Sequence, residues 1–320
     1  MEAGARTTRA RERFLTVSPA TFRRLVYAAL AALFLIVVSG ATVRLTGSGL
    51  GCENWPRCGE TFLPPKDYHA VVEFGNRVVG VAVGLTTLVA AAAALRAPFL
   101  PAWLRWATVA LPFSVLAQGV LGGITVILEL HPLIVMGHFL LSLAALALAL
   151  VVALGARDLG RGRSAEPPLG ASWLALVLVP SALALVVSGT LVTAAGPHSG
   201  GEDIRRFGNL IEAVHIHIGA TALFGVTFLG LVALLVAERA RARSELWLAL
   251  GILALLLGQM AVGELQWRRG LPWGLVLVHV TLATAVWCLV VTLAALVLLR
   301  RRARLTPAPA GSSGASLPDR

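Results

Sequence analysis

Glu212-Ala-Val-His215-Ile-His217-Ile-Gly219 opens a long apolar stretch, and Glu73-Phe-Gly-Asn76-Arg77-Val-Val-Gly80 nearly repeats it earlier in the chain. Two further pairs recur at a similar spacing: Gln118 and Gln259 stand 141 residues apart, as do His138 and His279, against 139 for Glu73 and Glu212. Val38-Ser39-Gly40 is likewise echoed by Val187-Ser188-Gly189. Polar groups are costly inside hydrocarbon, so polar residues that return in register within apolar segments point to a duplicated unit built around a site.

The surroundings of that stretch set the class. With 57% hydrophobic and 13% charged residues and a mean hydropathy of +0.81, the 320 residues do not make an ordinary water-soluble domain. Eight apolar segments are long enough to cross a bilayer, over 25–43, 73–95, 104–128, 132–154, 171–193, 211–236, 246–265 and 273–299. Backbone in hydrocarbon must satisfy its own hydrogen bonds, and the alternation a barrel needs is absent, so the segments are helices. The expected fold is an all-α integral membrane protein of eight transmembrane helices, arranged as two parallel-repeat four-helix bundles. Four crossings per unit is an even number, so both units run the same way and matching residues lie at matching depth.

Basic residues fix the orientation. The N-terminal tail, Arg96 and Arg105, the loops carrying Arg157 to Arg163 and Arg239 to Arg243, and the C-terminal tail hold 19 of the 27 Lys and Arg. That side is expected to be cytoplasmic, with both termini on it, in a plasma membrane. The net charge of +11 is then met by anionic lipid, with no nucleic acid as partner. The chain divides into a basic tail (1–24), an N-terminal four-helix half (25–155, with an outer loop at 44–72), a linker (156–170), a C-terminal half (171–300) and a compositionally disordered tail (301–320). Helix 1 is not read as a signal peptide, because it carries the Ser39-Gly40 element of the repeat.

Glu73, Asn76, His138, His215 and His279 fall in the first turns of helices that start outside, forming one layer. A neutral imidazole is a good ligand for haem iron, and four-helix bundles hold cofactors between facing side chains. His215 and His279 are therefore the expected metal ligands of the second half, while His138 faces Asn76 in the first. His217, two residues from His215, points elsewhere and is assigned to packing or an interface. Glu73 is a candidate for proton transfer, or else pairs with Arg77 four residues on. Arg44, Arg77 and Arg205 could bind propionates through their planar forks, or face headgroups. Gln118 and Gln259 are expected to hydrogen-bond between helices. His69, His131 and His198 have no separable role. Cys52 and Cys58, on the oxidising side, read as a disulfide, with free thiols or a thiolate metal site as alternatives. Cys288 reads as a packing residue.

These residues carry a resemblance. Val43-Arg44-Leu-Thr46-Gly-Ser48-Gly-Leu-Gly-Cys52 with Trp55-Pro56 and Cys58, Glu73-Phe-Gly-Asn76-Arg77, Gly137-His138-Phe139-Leu-Leu-Ser142, and Thr190-Leu-Val-Thr193-Ala-Ala-Gly196-Pro-His198-Ser-Gly200 occur in order. With His215 and His279, they make the chain resemble the heme A synthase family along nearly all of 22–300. The resemblance implies oxidation of the ring methyl of haem O to the formyl of haem A, by successive hydroxylation, in an oxidoreductase serving a terminal oxidase. It implies a resident haem b on His215 and His279, a substrate iron on His138, assistance from Glu73, and a Cys52–Cys58 pair. Implied partners are the membrane enzyme that makes haem O, an unidentified electron-transfer partner and the oxidase assembly that takes the product. Many members have His where this chain has Asn76, so the substrate iron is expected to be five-coordinate, with His138 proximal and an open face towards Glu73 and Asn76. A b-type electron carrier and a parallel-repeat transporter are the alternatives.

Overall fold

The computed structural model describes residues 16–52, 54–159, 169–201, 204–240 and 242–305. Most of the N-terminal tail, linker residues 160–168 and the tail from 306 lie outside the described residues. The chain forms eight helices: α1 Pro19–Leu45, α2 Tyr68–Leu95, α3 Ala102–Ile127, α4 Pro132–Asp158, α5 Leu169–Ala195, α6 Leu210–Ala237, α7 Arg243–Arg268 and α8 Trp273–Leu305. Each is long and apolar enough to span a membrane, and the described residues contain no strand beyond an isolated Cys58–Thr61 bridge. A helix of 26 residues rises about 39 Å, more than a hydrocarbon core needs.

The helices run past the apolar segments because polar caps, not hydropathy, set their ends. Ser18 Oγ accepts from the Thr21 N–H at 3.1 Å ahead of Pro19, Asp67 accepts from the Ala70 N–H at 3.0 Å, and Asn209 accepts from the Ile211 N–H at 2.8 Å. The Asp67 cap starts α2 five residues before Glu73. Glu73 therefore lies beyond the first turn, and the argument from the helix dipole no longer applies to it.

Within the first half, α1 packs on α2 and α4, and α3 packs on α2 and α4, while α2 and α4 come no closer than 8 Å between Cα atoms. The second half closes the same ring: α5 and α7 each pack on α6 and α8, with α6 and α8 likewise held apart. The helices bearing Asn76 and His138, and those bearing His217 and His279, are thus diagonal pairs. The halves meet where α8 lies against α1 and α4, with α4 also touching α5.

Fully buried side chains concentrate at the arginine-bearing end: Phe22, Leu104, Leu146, Leu178, Phe228 and Leu293. Towards the other end, Asn76, His138, His217 and His279 are only half-buried. Packing is tight at the arginine-bearing end and looser at the level of the polar layer, where the diagonal helices stand apart. Trp287, 6% exposed, sits on the seam between halves and donates its indole N–H to the Leu143 carbonyl at 3.1 Å. Replacing Trp287 with Phe keeps the ring and removes that bond. The expected cost is about 1 kcal/mol, read as a lower unfolding midpoint of the detergent-solubilised protein.

Candidate functional site

In the second half, Ser188 on α5 donates its hydroxyl hydrogen to the Leu185 carbonyl at 2.7 Å, so its oxygen accepts from His217 Nδ1 at 2.9 Å. That leaves His217 Nε2 as the lone-pair nitrogen. Gly189 makes room for the ring: a Cβ there would lie 3.3 Å from His217 Cε1. Across the ring of helices, Gln259 on α7 donates to the His279 carbonyl at 2.9 Å, and a Cβ on Gly263, one turn along α7, would lie 3.2 Å from His279 Cε1.

The first half builds the same frame. Ser39 on α1 donates to Asn76 Oδ1 at 2.6 Å, and Gly40 is the residue whose Cβ would face that oxygen, at 3.9 Å. Gln118 on α3 donates to the His138 carbonyl at 3.2 Å, and a Cβ on Gly122 would lie 3.3 Å from His138 Cε1. Asn76 and His217 stand 141 residues apart, as do Gly122 and Gly263, matching the glutamine and histidine pairs. The residue of α6 that corresponds to Asn76 is therefore His217.

His215, the expected ligand, is exposed on α6, while His217 faces the bundle. Residues two apart on a helix point about 200° away from each other, so only one of the two can look inward. The 139-residue spacing of Glu73 and Glu212 differs by two from the 141-residue spacing that relates His217 to Asn76. Glu212 is exposed in the first turn of α6, and the position 141 residues after Glu73 is Val214.

Glu73, by contrast, is 5% exposed and bound at both oxygens. Oε2 accepts the Cys52 N–H at 2.8 Å and Oε1 pairs with Arg77 Nη2 at 2.5 Å. Arg77 also donates to the carbonyls of Asn54, Pro56 and Arg57 at 3.0 to 3.2 Å. Together they pin the loop that the Cys52–Cys58 disulfide closes, with Cα atoms 4.5 Å apart. Trp55 of that loop lies against α3 where a Cβ on Gly123 would sit 2.7 Å from the indole, beside the glycine that backs His138. The loop thus roofs the first half.

The arginines expected near propionates are placed differently. Arg44 donates from Nε to the His198 carbonyl at 3.2 Å and from Nη2 to the Thr193 carbonyl at 3.1 Å, tying α1 to the second half. Arg205 is exposed in the segment before α6. His198 donates to the Leu271 carbonyl at 2.6 Å, and His69 Nδ1 meets Ser48 Oγ at 2.9 Å, so both hold loops together. His131 precedes α4 at its N-cap. Cys288 is a half-buried free thiol within α8.

What could such gaps hold? Nδ1 of His138 and of His279 are buried without hydrogen-bond partners, as are Oε1 of Gln118 and Gln259. Among the described residues no three His, Cys, Asp or Glu side chains converge on one point. Imidazoles on diagonal helices, each backed by glycine, suit the axial positions of a flat macrocycle whose metal arrives with its in-plane ligands. The second half offers two imidazoles to such a group, and the first offers one.

A family model described as cytochrome oxidase assembly protein, COX15-CtaA, matches residues 23–291. The chain is 36% identical over 136 residues to the heme A synthase of Symbiobacterium thermophilum, covering 42% of this chain and 44% of that protein. It is 31% identical over 141 residues to the heme A synthase of Shewanella oneidensis, covering 38% and 42%, and 32% identical over 135 residues to that of Bacillus pumilus, covering 38% and 40%. The chain therefore aligns with less than half the length of each of these relatives.

Proposed function

The chain belongs to the COX15-CtaA family of cytochrome oxidase assembly proteins, and from that premise we propose that it is a heme A synthase. The observation that carries the reading is the matched diagonal placement of His217 with His279 in one half and of Asn76 with His138 in the other. His217 and His279 would hold a resident haem b. His138 holds the iron of the substrate, haem O. The two halves are one duplicated unit, of which the second stores a cofactor and the first receives the substrate.

When bound, the resident haem supplies one-electron redox chemistry next to the substrate. The residues of this chain supply position and dryness. Gln118 fixes the α4 backbone at His138, and Gly122 lets the imidazole lie flat against α3. The Cys52–Cys58 loop, held by Glu73 and Arg77, keeps bulk water from the methyl being oxidised. We assign Glu73 to this anchoring, because both its oxygens already carry donors. Each of two oxidation steps takes two electrons and two protons from the substrate methyl together with one admitted water, the electrons leaving for the electron-transfer partner, and loss of water from the resulting diol leaves the formyl group.

The basic end lies in the cytoplasm with both termini, and the two sites lie near the outer face of the plasma membrane. Haem O arrives from the membrane enzyme that makes it, electrons pass to a separate partner, and haem A leaves for terminal oxidase assembly. Neither a b-type carrier nor a transporter draws support from the relatives, which are named heme A synthases.

Expression with a haem O source, followed by extraction and chromatography of the bound haems, tests the reading. Wild-type protein should yield haem b and haem A. His138→Ala should keep haem b and lower haem A to background, whereas an undiminished haem A yield in that variant would remove His138 from the substrate site.

A further inference from the structure

The two halves differ at one point of an otherwise matching frame, and that difference has chemical content. Ser188 sends its hydroxyl hydrogen to the Leu185 carbonyl at 2.7 Å and receives one from His217 at 2.9 Å. Ser39 has the same two neighbours, the Ile36 carbonyl at 3.2 Å and Asn76 Oδ1 at 2.6 Å. The distances have reversed. The serine hydrogen in the first half is committed to the side chain opposite rather than to its own helix, so the amide oxygen takes the Ser39 side. Asn76 Nδ2 is left on the side away from α1, where His217 carries its lone-pair nitrogen in the other half. An amide N–H donates hydrogen bonds and has no lone pair for a metal. His138 on the diagonal helix therefore has a hydrogen-bond donor across the gap, not a second ligand.

We infer that the first-half site, when it holds an iron porphyrin on His138, binds a small exogenous ligand on the Asn76 side, and that the Asn76 amide N–H, oriented by Ser39, hydrogen-bonds to that ligand. The ligand class is a neutral diatomic or a small anion with an acceptor atom, such as carbon monoxide, oxygen or cyanide. The second half takes none, because His217 and His279 fill both axial positions. The inference rests on the proposed reading of the first half as a haem site and adds the identity and role of the open face. Ser39 is a positioning residue, since it would act through Asn76.

The test uses full-length protein loaded with haem O, reduced without air and titrated with carbon monoxide, followed by absorption and by the C–O stretch. Wild type should carry two haems and bind one carbon monoxide per chain. Asn76→Leu should still bind one, roughly fivefold to tenfold more weakly, with the C–O stretch moved to higher wavenumber for want of the donor. Ser39→Ala should shift the stretch in the same direction by less. Asn76→His should bind none and become fully low-spin, because it restores the second imidazole. Two bound haems with no carbon monoxide uptake by wild type would overturn the inference while leaving the haem-site reading intact. An unchanged affinity and stretch in Asn76→Leu would overturn the role of the amide. A chain that never takes up more than one haem would refute the haem-site reading itself, and the inference with it.

Discussion

His217→Ala should empty the haem site proposed for the second half, and His215→Ala should leave it filled. The two imidazoles are separated by one residue, yet the helix turns about 200° between them, so the variants test opposite faces of α6. His217 is the residue backed by Ser188 and Gly189, whereas His215 is exposed. Loss of even a supporting residue around a ligand lowers metal affinity about 10- to 100-fold, so loss of the ligand itself should leave the purified protein at no more than a tenth of its haem b. His279→Ala should match it. Soret absorbance per chain, with haem quantified after extraction, decides the matter. Retention of haem b in His217→Ala together with its loss in His215→Ala would restore the first assignment and undo the register drawn between the halves.

The two spacings, 139 and 141, show what a single sequence carries and what it hides. Eight spans were legible because hydropathy over about 20 residues is a sum of many small terms, insensitive to any one of them. A site residue is a single position, and its face depends on register to within one residue. The two acids, Glu73 and Glu212, offered a tempting match at 139 residues, while Gln118 with Gln259 and His138 with His279 both demanded 141. Holding to 141 places His217 opposite Asn76 and Gly263 opposite Gly122 with no structure needed. The acids misled because they belong to different devices: Glu73 is buried in a loop anchor, and Glu212 is an exposed acid in the first turn of α6.

Contacts between the halves had no comparable signal. Arg44 reaches the carbonyls of Thr193 and His198, about 150 residues away. The Gly49 N–H donates to the Gly200 carbonyl at 3.0 Å, and Leu130 packs so closely on both glycines that a Cβ on either would sit 2.6 to 2.8 Å from its methyl. Backbone carbonyls are present at every residue, so nothing in the sequence says which of them a given arginine will find. The same limit applies to Glu73: its spacing to Arg77 was plain, but not the Cys52 N–H or the three loop carbonyls that complete the cluster.

That cluster yields a second large effect. Glu73→Ala should abolish haem A formation while haem b stays bound, and Arg77→Met should do the same. The pairing of the variants is what separates anchoring from proton transfer, since an arginine does not exchange its proton in this range and a carboxylate can. If Glu73 only carried protons, removing Arg77 would leave a working acid in place and a substantial yield. If Glu73 and Arg77 together hold the roof, either loss strands the other charge where the side chains are 6% and 18% exposed. Breaking a buried pair costs about 3–5 kcal/mol, and the partial exposure of Arg77 brings the expected figure to about 3 kcal/mol, roughly a hundredfold rise in the open population of the loop. Arg57 lies in that loop, next to Cys58, so trypsin reports the opening. Cleavage after Arg57, seen on a reducing gel, should accelerate by a similar factor in both variants and remain slow in His138→Ala, which leaves the roof untouched. A catalytically dead Glu73→Ala whose loop resists trypsin as the wild type does, beside an active Arg77→Met, would return the carboxylate to proton transfer.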